Sequence, residues 1–247
     1  MAVVLGSRNI TAFSGQFVAC VHDVHPGTTP AVLPILEALR PLVGDAVSVA
    51  VVPKPGGVAW PTGAPADALT RALNQSADEI LLHGLTHRRG WSLDPLSWMI
   101  GRSDELAGLS PAQVLKRARK ALETIHAEVG REVHGVVPPG WRSGCLGEVL
   151  GSLGLSFLIG MCDLVTASGK RRSLATWSWD AGPVAAAGWL LEFAGSVAAR
   201  GGAAPVVVLH PADLKRGFVP RALRRIRLLL DAGHLPVSFE HLAQSMG

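Results

Sequence analysis

Short, continuous runs of apolar and β-branched residues recur along this chain, each followed by a stretch with helical apolar spacing or by a loop. The runs are Phe17–Val21, Val47–Val52, Glu79–Leu82, Val133–Val137, Leu155–Ile159, Val206–Leu209 and Pro236–Phe239, and helical spacing marks Pro30 to Leu42 and Ala66 to Asn74. Strands that are apolar without alternation, with helices between them, belong to parallel sheets covered on both faces. About seven such strands imply an α/β fold, either a barrel or a doubly wound sheet. The 247 residues are 48% hydrophobic and 17% charged, which excludes a disordered chain and suffices for one large α/β core. No repeat, low-complexity segment or Ser/Pro-rich linker divides the chain, although Lys54 to Pro65 is a long Gly/Pro loop. A single domain over residues 1–247 is expected.

Composition excludes several functions. The three cysteines (Cys20, Cys145, Cys162) form no CxxC pair, so neither a disulfide framework nor a zinc ribbon is indicated, and a reducing, cytoplasmic setting is expected. The net charge of +4 is mild for this length. The basic clusters Lys116–Lys120 and Arg221–Arg227 lie in stretches of helical spacing and read as solvated helix faces, not as a nucleic-acid surface. No secretory signal is visible in Met1 to Gln16, and the Ala-rich stretch Val184 to Ala199 is too short and too interrupted to span a membrane. Walker-type and dinucleotide Gly-rich loops are absent, as is a GxSxG elbow.

The functional signal lies at the ends of the apolar runs. They lead into His22-Asp23-Val24-His25, His83-Gly84-Leu85-Thr86-His87, Pro138-Pro139-Gly140-Trp141-Arg142 and His210-Pro211-Ala212-Asp213. In parallel α/β architectures the C-terminal ends of the strands are where ligands bind and catalytic residues collect. Two imidazoles four apart, His83 and His87, together with the carboxylate of Asp23, have the chemistry of a facial metal set with open positions for water and substrate. Taken alone, an HxxxH spacing equally describes surface or core histidines; the matching strand ends favour the metal reading. His25 reads as a loop residue and Asp213 as a helix N-cap. Trp60, Trp91 and Trp141 fall in loops where a ring could stack on a sugar, although packing is the commoner use of such a residue.

The order of HD near the N-terminus, HGxTH after a strand, PPGW mid-chain and LHP near the C-terminus resembles the polysaccharide deacetylase superfamily, the NodB-homology domains. The similarity runs from about Phe17 to Phe239 and is closest to a bacterial branch whose first motif reads HDV. It implies an irregular, partly open (β/α) barrel and metal-dependent hydrolysis of N-acetyl groups on amino sugars. It also implies one divalent ion held by Asp23, His83 and His87, with zinc expected first and cobalt, nickel or iron also compatible. His210 takes the place of the general acid, and the Pro139-Gly140-Trp141 loop that of the oxyanion-binding backbone. Asp180 is the candidate to orient His210, with Asp163 second.

Two positions depart from that pattern. His22 stands where the family has the Asp that acts as general base, and Val137 where it has the Arg that holds that base. The changes are consistent with each other, because an Arg beside an imidazole would oppose its protonation. A neutral His22 could still serve as the base, and Arg142 is a candidate replacement for the lost cation. The expected function is a metal-dependent deacetylase acting on the C–N amide of an N-acetylated amino sugar or a related small N-acyl compound. The alternatives are a catalytically silent sugar- or metal-binding barrel and a metal-dependent hydrolase of another bond. The expected partner is a small-molecule or carbohydrate substrate, with neither nucleic acid nor a membrane span.

Overall fold

Alternate side chains of a strand point to opposite faces, and here the two faces of the strands fall into two separate apolar clusters. The computed structural model describes residues 15–90, 93–95, 97, 102–179 and 185–246. Its strands are β1 (Gln16–Val24), β2 (Val47–Val51), β3 (Glu79–Leu82), β4 (Gly135–Val136), β5 (Phe157–Ile159), β6 (Asp163–Thr166), β7 (Arg171–Trp177), β8 (Ala204–Leu209) and β9 (Leu235–Pro236). The order β2-β3-β4-β5-β6-β7-β8-β1 closes into an eight-stranded barrel through pairing of β1 with β2, and β9 adds to the start of β1. Neighbours are parallel except at β6, which is antiparallel to both β5 and β7.

The expected α/β barrel is present, with β6 and β7 as strands that no apolar run announces. Their sequences, DLVT and RRSLATW, mix polar with apolar residues, and their burial is accordingly partial along much of their length. The last run, Pro236–Phe239, divides instead: β9 ends at Pro236 and Phe239 opens a helix.

The helices are α1 (Thr29–Val43), α2 (Ala64–Ser76), α3 (Pro111–Val129), α4 (Leu146–Leu153), α5 (Ala185–Arg200), α6 (Pro211–Arg216), α7 (Val219–Asp231) and α8 (Phe239–Gln244). Helix α1 buries Val32, Ile35, Leu36 and Leu39, the i, i+3, i+4, i+7 stripe that seats a helix on a sheet. Helix α3 starts at a reciprocal cap, in which the Ser110 hydroxyl accepts from the Gln113 amide and the Gln113 side chain accepts from the Ser110 amide. It stops where Gly130 takes the left-handed conformation.

Inside the barrel lie Val18, Cys20, Ala50, Leu81, Val137, Phe157, Val206 and Val208. The alternate positions Ala19, Val21, Val49, Val51, Ile80, Leu82, Val207 and Leu209 join the helices in the outer cluster. Phe239 and Leu242 of α8 belong to the inner cluster, so the C-terminal helix plugs the end of the barrel opposite the His-bearing strand ends. In the basic cluster of α7, Arg221, Arg224 and Arg227 are exposed, as a solvated face requires, and two of its arginines also make specific contacts. Arg221 and Arg225 of α7 both pair with Glu192 of α5, and the Arg225 guanidinium lies 4.8 Å from the centroid of the Trp177 ring. These arginines tie two helices to β7 through charge and ring contact.

The plug is anchored by a buried carboxylate. Glu79 continues the inward phase of Leu81 and accepts hydrogen bonds from Ser48 Oγ (2.6 Å), Phe239 N (3.1 Å) and Glu240 N (2.8 Å), the last two being orphan amides at the start of α8. Burial nevertheless pushes its carboxyl up to about 7, against the donors that favour the charge. Glu79→Ala leaves two amides and a hydroxyl without their acceptor and is expected to cost about 2–3 kcal/mol, read as a lower Tm in thermal denaturation. Because the folded-state value is raised, the folded protein binds more protons at Glu79 than the unfolded chain. The stability this group contributes is full below the ordinary carboxylate range and is lost as pH rises through about 7. The gap in Tm between wild type and Glu79→Ala should therefore narrow from pH 5 to pH 8.

Candidate metal centre and active site

His22, His83 and His210 each stand two residues beyond an inward-facing strand residue, namely Cys20, Leu81 and Val208. The period of two therefore carries all three imidazoles into one end of the barrel. All three are buried. The His22 ring centroid lies 4.8 Å from that of His83, 5.1 Å from that of Trp141 and 5.3 Å from that of His210.

Asp23, by the same alternation, would face the helices. A bulge redirects it: Val21 pairs with Val49, but Val24 pairs with Val51, so three residues of β1 span two of β2. Within the bulge Asp23 takes φ 55°, a left-handed backbone that non-glycine residues seldom adopt. Its carboxylate then meets the second motif, with Oδ1 3.1 Å from His83 Nε2 and 3.0 Å from His87 Nε2. The two Nε2 atoms are 3.2 Å apart.

This triangle fits a metal ion. His83 Nδ1 lies 2.8 Å from the Val137 carbonyl, which fixes that nitrogen as the protonated donor and leaves Nε2 with its lone pair facing inward. Three lone pairs converging at about 3 Å repel one another unless a cation or protons lie between them. Donors bonded to one ion at roughly 2.0–2.2 Å are separated by about that distance. Asp23, His83 and His87 are the one group of this kind found among the described residues. The electrostatics agree: burial disfavours the Asp23 charge, but His87 and His83 outweigh it and hold the carboxyl well below its ordinary value. Burial lowers His83, whereas Asp23 and then Glu105 raise His87 against its own burial.

The loop that carries His87 is held from two sides. Glu105, itself buried, accepts from the amides of Leu85 and Thr86 and from the Thr86 hydroxyl. On the other side, Lys54 N and Gly56 N donate to the carbonyls of Leu85 and Thr86 at 2.8 Å. Gly84 is required where this loop passes the PPGW turn. It has φ 74°, and a Cβ there would lie 2.6 Å from both a Glu105 oxygen and Pro139 Cγ. Sequence reading missed Glu105, which sits in no motif and is distinguished only by being a buried carboxylate.

Pro139, Gly140 and Trp141 form a short 3-10 turn in which Gly140 and Trp141 have φ 61° and 59°. The Trp141 amide donates to Pro138 O and the Arg142 amide to Pro139 O, while the Gly140 amide has no acceptor among the described residues. Trp141 packs its ring on His22, whereas Trp60 is buried in the outer core and not in the site. Arg142 is turned to Asp94 and Asp104, in a network that also takes up Arg89, so its guanidinium is already committed. The position of Val137 is apolar and fully buried, so no cation is supplied from it.

His210 opens α6, and the carboxylate beside it is Asp213: Oδ2 accepts from His210 N at 2.7 Å and lies 3.8 Å from His210 Nδ1. Asp213 is fully buried; the N-cap position expected for it is taken by His210, and Asp213, at the third position of the helix, accepts from the His210 amide while lying beside its imidazole. Of the carboxylates considered for His210, Asp180 lies outside the described residues, as does Trp91 among the loop tryptophans. Asp163 lies on β6, where it meets Arg171 at 3.5 Å. His25 accepts from Gly27 N at 3.1 Å and caps the turn that follows. His22 is pushed well below its ordinary value by burial first, then by His83 and His210, and its Nε2 is buried with no hydrogen-bond partner among the described residues. A cleft of about 410 Å³ opens over Asp23 and His87 and is bounded by His25, Gly56, Arg88 and Pro211.

No family model and no curated protein matches the chain. Solved structures do. The Xyl-CE4 domain of a multidomain xylanase from the hindgut metagenome of Trinervitermes trinervoides is 16% identical with a TM-score of 0.58, over 94% of this chain and 91% of that chain. A family 4 carbohydrate esterase from Streptomyces lividans, in complex with acetate, is 18% identical with a TM-score of 0.53, over 90% and 91%. A CE4 family pseudoenzyme from Bacillus anthracis is 12% identical with a TM-score of 0.53, over 94% and 66%. The chain thus has the barrel fold of the CE4 polysaccharide deacetylases.

Glu105 touches the backbone of the His87 loop and none of the three candidate ligand atoms of Asp23, His83 and His87. Glu105→Ala is expected to weaken zinc binding roughly 10- to 100-fold while keeping one site per chain, measured by competition against a chromogenic chelator.

Proposed function

We propose that the protein is a divalent-metal-dependent deacetylase that hydrolyses the C–N amide bond of an N-acetylated amino sugar or a related small N-acyl compound. The observation that carries this reading is the convergence of Asp23 Oδ1, His83 Nε2 and His87 Nε2 within 3.0–3.2 Å of one another, at the mouth of a cleft. These three residues would hold the ion, with zinc the first choice for two imidazoles and a carboxylate. When bound, such an ion supplies Lewis acidity toward the acyl oxygen and lowers the pKa of water at the site.

The chain's own residues supply the proton transfers. His22 is neutral near pH 7, because burial and its imidazole neighbours depress it, and its unpartnered Nε2 can accept the proton of the attacking water. His210, across the site from His22, delivers a proton to the leaving amine. Asp213 at 3.8 Å steadies the imidazolium that this role requires. The Gly140 amide, turned by its left-handed backbone, is the candidate donor to the developing oxyanion. The three free thiols fit a reducing compartment, and a cytoplasmic setting is part of this proposal. Among the described residues, no helix is long and apolar enough to cross a membrane.

A second reading follows from His22 and Val137, which stand where the resembling family has Asp and Arg: a barrel that binds metal and sugar without turnover. Elemental mass spectrometry and an amine-release assay on N-acetylated sugars separate the two. About one divalent ion per chain, lost in Asp23→Ala and in His87→Ala, is expected. In the holoprotein His210→Ala should lower kcat roughly 10²- to 10⁴-fold. Asp213→Asn should lower it less. Metal without turnover in the wild type favours the silent barrel, and no metal after zinc or cobalt addition overturns both.

A further inference from the structure

The cleft over the metal triad has an uneven charge lining. Asp23 is its one carboxylate, and that group faces His83 and His87. The one lysine or arginine on the cleft wall is Arg88, the residue directly after His87, and it is exposed to solvent. Arg88 differs from the arginines around it. Arg89 and Arg142 are held by Asp94 and Asp104, while the Arg88 guanidinium has no carboxylate partner among the described residues.

Its backbone is also held. The Arg88 carbonyl lies 3.3 Å from the Thr86 hydroxyl, whose one proton is shared with Glu105, and the Thr86 amide donates to Glu105 while its carbonyl accepts from Gly56 N. His87 at φ 52° turns the chain between the metal ligand and the cleft wall. A planar, permanently charged fork on a rigid loop is suited to bidentate recognition of carboxylate or phosphate.

We infer that Arg88 is a specificity-determining residue that binds an anionic substituent of the substrate, so that the favoured ligand is an N-acyl amino sugar carrying a carboxylate or a phosphate. This assignment rests on the deacetylase reading for the acyl part of the substrate and on the cleft alone for the anionic part. A neutral sugar leaves Arg88 in water, where it gains nothing. An anionic one meets a cation that no carboxylate among the described residues neutralises, beside the triad.

The test uses the zinc-loaded full chain and calorimetric titration with N-acetylglucosamine, N-acetylglucosamine 6-phosphate and N-acetylmuramic acid. At least one of the two anionic sugars is expected to bind roughly tenfold or more tightly than the neutral one. That preference should close in Arg88→Gln and persist in part in Arg88→Lys. Which anionic sugar shows it distinguishes phosphate from carboxylate. Unchanged zinc content of Arg88→Gln shows that the variant is folded. Equal binding of all three sugars, binding of none, or a preference that survives Arg88→Gln overturns the assignment. Amine release measured on the same samples keeps the two proposals apart. An anionic preference without release leaves Arg88 standing and removes the hydrolase, and release without preference does the reverse.

Discussion

The two-residue alternation of a barrel strand is the constraint on which this site depends. Cys20, Leu81 and Val208 point into the barrel, so the next inward positions on their strands are His22, His83 and His210. Nothing further is needed to bring the rings of His83 and His210 each to about 5 Å from that of His22. The same rule would send Asp23 the wrong way, and the β1 bulge is the local exception that lets consecutive residues serve the same site. The left-handed backbone at Asp23, His87 and Trp141 is a further part of that exception. Of the four described non-glycine residues with positive φ, three are at the candidate metal centre or in its adjoining turn, and strained backbone tends to concentrate at functional sites.

Rigidity comes from groups that never reach the metal. Glu105 binds the His87 loop, Val137 presents its carbonyl to His83, and Gly84 allows the HGLTH segment to lie against Pro139. At the opposite end of the barrel Glu79 does for α8 what Glu105 does for the loop, each a buried carboxylate that accepts several backbone amides. The two differ in their surroundings. Glu79 serves a helix that closes an apolar interior, and its carboxyl is pushed up to about 7. The plug and the site are therefore both built on polar groups, at the two ends of one apolar column.

Protonation logic ties His22 to its neighbours. Surrounded by His83 and His210 and shut off from solvent, it favours the neutral form. An apolar Val137 beside the first motif is compatible with an imidazole there, because no cation is added to a site already crowded with imidazoles. Arg142, which could have restored that charge, is drawn off by Asp94 and Asp104. On His210 the outcome is different: Asp213, only three residues along the same helical turn, supplies the carboxylate.

Much of this was written in the sequence. The apolar runs announced six of the barrel's inner strands, because a strand buried on both faces has no polar alternation to hide it. The motifs at their ends pointed to the residues that converge in the triad of Asp23, His83 and His87, because His and Asp are costly to bury without a purpose. The β6–β7 hairpin was not legible, since Asp163–Thr166 and Arg171–Trp177 carry polar residues within the strand. Glu105 and Asp213 were not legible as site-builders either, since a carboxylate becomes informative only once its burial and its partners are known. Sequence by itself determined which residues have the chemistry and at which strand ends they sit. Tertiary structure alone decided which of them meet, because a one-residue bulge, or the choice an arginine makes between Asp94 and open solvent, depends on neighbours that are distant along the chain.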